Sequence, residues 1–109
     1  MSDATLPVNP VSWDPDLIYW ALAEPPRRQI LLALASRGPQ PAGDLLGATR
    51  RRLDATLKHL QTLRSAGLVT RQENSRDGRK YLYALTPQVP LAKTEKGVVL
   101  DFGFLLVRL

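Results

Sequence analysis

Leu53, Leu57, Leu60 and Leu63 recur at intervals of four, three and three residues within ATRRRLDATLKHLQTLRSAGLV, residues 48–69. That spacing follows the period of an α-helix and excludes the period of two that a half-buried strand requires. An amphipathic helix of this kind needs other elements to cover its apolar stripe. At about 100° per residue, Leu53, Leu57 and Leu60 fall within about 60° of arc, so this face is expected in the core. The opposite face carries Arg51, Ala55, Lys58 and Thr62, with Asp54, His59 and Ser65 on its flanks. Thr49 is the expected N-cap. The same stretch also holds a conflict. Arg50, Arg51 and Arg52 stand where the helix is expected to open, and a cation there is unfavourable by roughly 0.3–1 kcal/mol at low salt. An anionic partner is the simplest feature that offsets it.

The charge distribution points the same way. Between Arg50 and Lys80 lie nine cations and three anions, whereas the rest of the chain has six cations and seven anions. The net charge of +5 therefore belongs to one segment. This is the electrostatic pattern of a nucleic-acid-binding surface, and also that of a solvated basic face. The chain's 109 residues suit one domain with one modest core. It has no cysteine, which excludes a disulfide framework and any thiolate metal site, and fits a cytoplasmic, nucleoid-associated protein. The opening MSDATLPVNPVSWDPD lacks the basic and apolar regions of a secretory signal. No apolar run approaches the roughly 18–20 residues of a membrane span, so no membrane partner is expected.

The remaining elements follow from local signals. Residues 1–13 are proline-rich and aperiodic, an expected N-terminal arm. DPDLIYWALAE (14–24) is a helix with Asp14 as N-cap, Pro15 at the first position and Asp16 in the first turn. EPPRRQILLALASRG (24–38) is a second helix, with Ile30, Leu31, Leu34 and Ala35 inward and Gly38-Pro39 as its stop. PAGDLLGA (41–48) is a short third helix, and the leucine-spaced stretch is the fourth, closed at Gly67. GLVTRQE and KYLYALT are two strands joined through NSRDGR, whose Asp77-Gly78 pair is a strong hairpin signal. TPQVPLAKTEKG is a proline-containing connection. VVLDFGFLLVRL is too apolar for a free tail and supplies one or two further strands, packed on the domain or on a second copy.

A helix, a short helix, a turn, a longer helix and a basic hairpin form the order of a winged helix-turn-helix. LAEPPRRQILLALASRG followed by DLLGATRRRLDATLKHLQTLRSAGLVTRQENSRDGRKYLYALT resembles the ArsR-type winged-helix transcriptional regulators of bacteria. LKHLQTLRSAGLV and YLYALT are the most specific pieces, and the resemblance covers roughly residues 16 to 87. It implies a homodimer on double-stranded operator DNA, with the fourth helix in the major groove and the hairpin wing over an adjacent minor groove or the backbone. The chain departs from this pattern twice. The cysteines or histidine clusters of the metal-sensing members have no counterpart, His59 being the single histidine. The dimerising helix that usually closes the family is replaced by VVLDFGFLLVRL, which has the character of strand.

Within that frame the residues acquire expected roles. Arg51 or Arg52 can pair with guanine O6 and N7, whose two acceptors match the guanidinium fork. Asp54 can accept from a cytosine amine or serve the first turn of its helix. Arg50 and Lys58 suit phosphates, and Thr49 and Ala55 complete the reading segment. Arg76, Arg79 and Lys80 flank the wing turn, either entering a narrow minor groove or keeping a hairpin tip soluble. His59 is expected to be partly buried or phosphate-facing rather than a metal ligand. Trp13, Leu17, Tyr19, Trp20, Phe102 and Phe104 are the expected dimer interface.

No enzyme is legible. There is no Gly-rich phosphate loop, no cysteine nucleophile and no serine with an obvious base. The Asp101-Phe102-Gly103 tripeptide lacks every companion motif that would give it catalytic meaning. No cofactor or metal site is expected, and no effector is identified. The expected fold is mainly α with a small antiparallel sheet: an arm (1–13), a winged helix-turn-helix (14–87) and a C-terminal strand extension (88–109). The expected function is a homodimeric, sequence-specific DNA-binding repressor. The alternatives are a winged-helix protein-interaction module and a nonspecific DNA binder.

Overall fold

The structure is a computed structural model that describes residues 12–74 and 81–109. Most of the expected arm, the Asp77-Gly78 turn and the wing residues Arg76, Arg79 and Lys80 lie outside the described residues. Helix α1 (Pro15–Leu22) starts as its sequence dictates: the Asp14 carboxylate accepts the Asp16 N–H at 3.0 Å, with Pro15 in the first turn. Helix α2 (Pro25–Arg37) buries Ile30, Leu31, Leu34 and Ala35 and stops at Gly38. A single 3-10 turn (Ala42–Leu45) runs into the short α3 (Leu46–Thr49). Helix α4 (Leu53–Ser65) is the long helix of the leucine-spaced stretch. It closes at Gly67, whose φ of +83° suits glycine. There the N–H of Gly67 reaches the Arg64 carbonyl and the N–H of Leu68 reaches the Leu63 carbonyl, both at 3.0 Å. This double bond pattern satisfies carbonyls that the helix end leaves open. None of the described helices is long and apolar enough to cross a membrane.

Strand β1 (Val69–Glu73) pairs antiparallel with β2 (Tyr81–Leu85), in a register running from Val69 opposite Leu85 to Glu73 opposite Tyr81. Gln40 adds a one-residue bridge, exchanging backbone hydrogen bonds with Tyr83 at 2.9 and 2.8 Å. The linker after α2 is thereby fixed to the hairpin. Ile18, Ile30, Leu31, Leu45, Leu60, Leu63 and Leu68 form the fully buried centre shared by the helices and the hairpin.

Two expectations need correction. The leucine face of α4 is turned. Leu60 and Leu63 are fully buried, but Leu53 and Leu57 are 48% and 40% exposed, and Thr56 takes the inward place. Thr56, Leu60 and Leu63 span about 60° of arc at about 100° per residue, and Leu53 and Leu57 fall on the shoulder beside them. A buried threonine is tolerable because its hydroxyl pairs with that of Thr49 at 3.0 Å. The second correction is at the connection: VVLDFGFLLVRL supplies two strands, as expected, but a third strand precedes them. β3 (Leu91–Thr94), β4 (Gly97–Asp101) and β5 (Leu106–Arg108) make a sheet in the order β3-β4-β5. β3 falls in the segment read as a connection. All four of its residues are exposed, so it carries no inward–outward alternation. Val98 and Leu100 of β4 are buried, and Leu100 joins the main core.

Candidate nucleic-acid interface

The three consecutive arginines do not open a helix. They form the turn between α3 and α4. Arg50 caps α3 in the left-handed conformation at φ 54°, Arg51 follows in the bend, and Arg52 is the N-cap of α4. Thr49 is therefore not the cap of α4. It ends α3, is 4% exposed and works inward: its hydroxyl accepts the Arg51 N–H at 3.2 Å and pairs with Thr56. The two threonines tie the turn to α4.

Arg50, Arg51, Arg52, Asp54 and Lys58 are all exposed. Their internal partners are weak. Arg51 reaches the Arg50 carbonyl at 3.3 Å, and Arg52 stands 4.0 Å from Asp54 with side chains 92% and 75% exposed. Such a pair contributes little in water. The Asp54 carboxylate accepts the Ala55 N–H at 2.9 Å, which serves the first turn of α4. No side chain caps that helix start. A cluster of cations thus surrounds an uncapped helix N-terminus, an arrangement suited to anions. A cleft of about 480 Å³ adjoins it, with Arg50 and Arg51 on one wall and Pro25 and Gln29 of α2 on the other.

The outward face of α4 carries Asp54, Lys58, Gln61 and Ser65, whereas Ala55 and Thr62 are half-buried. It is rotated by about 60° from the sequence expectation, following the turn of the inward face. Gln61, which that expectation omitted, is exposed and accepts from Arg64 at 3.0 Å. On the hairpin, the Arg71 guanidinium lies 4.1 Å from the centre of the Tyr81 ring, a cation–π contact that also escaped the sequence reading.

His59 is half-buried, with Nδ1 3.2 Å from an Arg27 guanidinium nitrogen. Arginine only donates, so this contact favours an accepting Nδ1 and the neutral form of the imidazole. Burial holds its pKa below the ordinary 6.5, and Arg27 pushes in the same direction. Among the described residues no three His, Asp or Glu side chains gather where they could hold a metal ion.

Arg27 itself was not singled out by sequence. It is 5% exposed, donating to the Ala21 carbonyl at 2.7 Å and the Trp20 carbonyl at 2.9 Å, and pairing with Glu24 at 3.2 Å. Arg28 donates to the Leu22 carbonyl at 2.6 Å. Both arginines satisfy the last turn of α1, which has no basic residue of its own. An eight-residue helix ending shortly before an Arg-Arg pair was the available signal.

Four of the five aromatic residues expected at a dimer interface come together within one chain. Trp13 meets Phe102 edge-on at 5.4 Å, Tyr19 meets Phe104 edge-on at 5.8 Å, and the two phenylalanines stack at 5.9 Å. This cluster joins α1 to the turn between β4 and β5. Its Tyr19 is 47% exposed, and on the same helix Leu17 and Trp20 are 39% and 47% exposed.

No protein-family model matches the chain, and no curated protein matches it. Solved structures do. HlyU from Vibrio cholerae is 26% identical, with a TM-score of 0.57 over 66% of this chain and 74% of that one. An ArsR family transcriptional regulator is 30% identical, with a TM-score of 0.54 over 64% of this chain and 72% of that one. A MarR family transcription regulator is 26% identical, with a TM-score of 0.56 over 67% of this chain and 48% of that one. The chain spans about half the length of that regulator and three quarters of HlyU. These neighbours are winged-helix transcriptional regulators, and the chain has their fold.

Proposed function

We propose that this winged helix-turn-helix chain is an ArsR-type, sequence-specific regulator that binds double-stranded DNA as a homodimer and represses by occluding a promoter. The observation that carries the reading is the turn before α4, whose three exposed arginines have no strong partner among the described residues and surround an uncapped helix start. Arg51 and Arg52 read guanine edges, while Arg50 and Lys58 hold phosphates, with Asp54 beside them on the first turn. Arg76, Arg79 and Lys80 serve the wing. Thr49 and the half-buried Ala55 support the reading helix from behind. The chain joins its second copy through the surface that continues from the aromatic cluster: Trp13, Leu17, Tyr19, Trp20, Phe102 and Phe104. Two copies place two reading helices about 34–36 Å apart on a near-palindromic site. The chemistry is binding and not catalysis, as expected of relatives that are regulators.

Selection from a random duplex pool, followed by fluorescence anisotropy, tests this. A selected duplex bound at least roughly a thousandfold tighter than the pool, with that preference lost in Arg51→Ala/Lys58→Ala, supports a specific regulator. Tight binding without preference identifies a nonspecific DNA binder. No binding at moderate salt by a folded protein leaves the protein-interaction module.

A further inference from the structure

The two leucines that left the core stand at the front of α4. Leu53 is its first residue and Leu57 lies one turn on, 48% and 40% exposed. They form one wall of a groove of about 360 Å³, with Tyr81 and Tyr83 of the hairpin opposite and Asp44 also lining it. Tyr81 is 46% exposed. Thr56, Leu60 and Leu63 close the core from α4, and these two leucines stand outside it. Arg51 and Arg52 precede Leu53 in the chain, Lys58 follows Leu57, and the Arg71 guanidinium lies over the ring of Tyr81, which lines the groove.

We infer that Leu53 and Leu57 are specificity-determining residues that read the C5-methyl groups of thymine in the major groove. The inference rests on the proposed DNA-binding function. A polyanion drawn to Arg51, Arg52 and Lys58 is seated on the N-terminal half of α4, the half that meets base edges in a helix-turn-helix. The major-groove edge of a base pair offers hydrogen-bond donors and acceptors, and one apolar group, the thymine methyl. Apolar side chains interleaved with phosphate-binding cations match that surface. An acidic protein partner would supply the charge without the methyl.

Deoxyuridine substitution tests this directly, because it removes the methyl and keeps every hydrogen-bonding group. Each thymine of the duplex selected from the random pool is replaced in turn, and binding is measured by anisotropy. For the unaltered chain, one or two positions in each half-site should weaken binding about fourfold each, which is the roughly 0.8 kcal/mol of one buried methyl at 1.4 kcal/mol per decade. Leu53→Ala or Leu57→Ala should bind the thymine and deoxyuridine duplexes alike at those positions. A half-site without thymine, indifference to the methyls, or equal sensitivity in the leucine variants overturns the inference and leaves the regulator reading standing. Absence of any preferred duplex overturns both.

Discussion

Arg27 and Arg28 stand in the first turn of α2, and Arg50, Arg51 and Arg52 stand just before α4. Both groups sit at a helix N-terminus, where the dipole disfavours cations. Their outcomes differ because of what lies in front of them. The last turn of α1 presents the carbonyls of Trp20, Ala21 and Leu22, which accept three hydrogen bonds from Arg27 and Arg28, and Arg27 also reaches His59. The arginines before α4 are exposed, and among the described residues Arg52 has only a 4.0 Å ion pair with its side chain 92% exposed. Position relative to a helix therefore does not separate a structural arginine from a binding one. The separating feature is whether the fold delivers acceptors to it. The same division runs along α4 among its leucines: Leu60 and Leu63 are enclosed, while Leu53 and Leu57 are left at the surface beside the free cations.

This contrast can be broken at several points. The largest effect is expected at Leu60, where truncation to alanine should cost about 2–5 kcal/mol in urea unfolding, against under about 1 kcal/mol for Leu57→Ala. Arg27→Met leaves two carbonyls of α1 without their donor and should cost about 2–4 kcal/mol by the same measurement. A loss for Leu57→Ala equal to that for Leu60→Ala would place Leu57 in the core after all. Arg52→Gln, by contrast, should stay within about 0.5 kcal/mol of the unaltered chain, as for a surface substitution. The smallest effect concerns pH. The folded chain disfavours a protonated His59, so the stabilisation is fully present above the ordinary imidazole value of 6.5 and is lost as the pH falls through the lower folded value. Thermal midpoints at pH 7.5 and at successively lower pH should therefore fall more for the parent chain than for His59→Gln. An identical pH dependence in both would remove His59 from the account.

Much of the fold was legible because its signals are local. Asp14 and Pro15 announce α1, Gly67 ends α4, and the tyrosine alternation marks β2. What escaped depends on distant partners. Thr56 reads as a polar position until Thr49 is brought against it, and its burial rotates both faces of α4. That single rotation displaced Ala55 from the expected reading face and exposed Leu53 and Leu57. β3 escaped because Lys93 and Thr94 lie exposed with Leu91 and Ala92, leaving no alternation to detect. The arginine cluster was found by composition, but its placement in a turn required the left-handed Arg50, which nothing in the triplet itself reveals. Arg27 could be assigned only once the end of α1 lay beside it.

The salt dependence of DNA binding tests the division between the two arginine groups most directly. A dimer touching about eight phosphates should show log K falling against log salt with a slope near −7. Replacing Arg50 and Lys58 with glutamine removes two phosphate contacts from each copy and should bring the slope to about −4. Arg28→Gln, which loses a bond to the Leu22 carbonyl and no contact with DNA, should keep the steep slope despite lower stability. A slope that is shallow in the unaltered chain, or that falls equally for Arg28→Gln, would contradict the assignment of the turn before α4 as the surface that meets DNA.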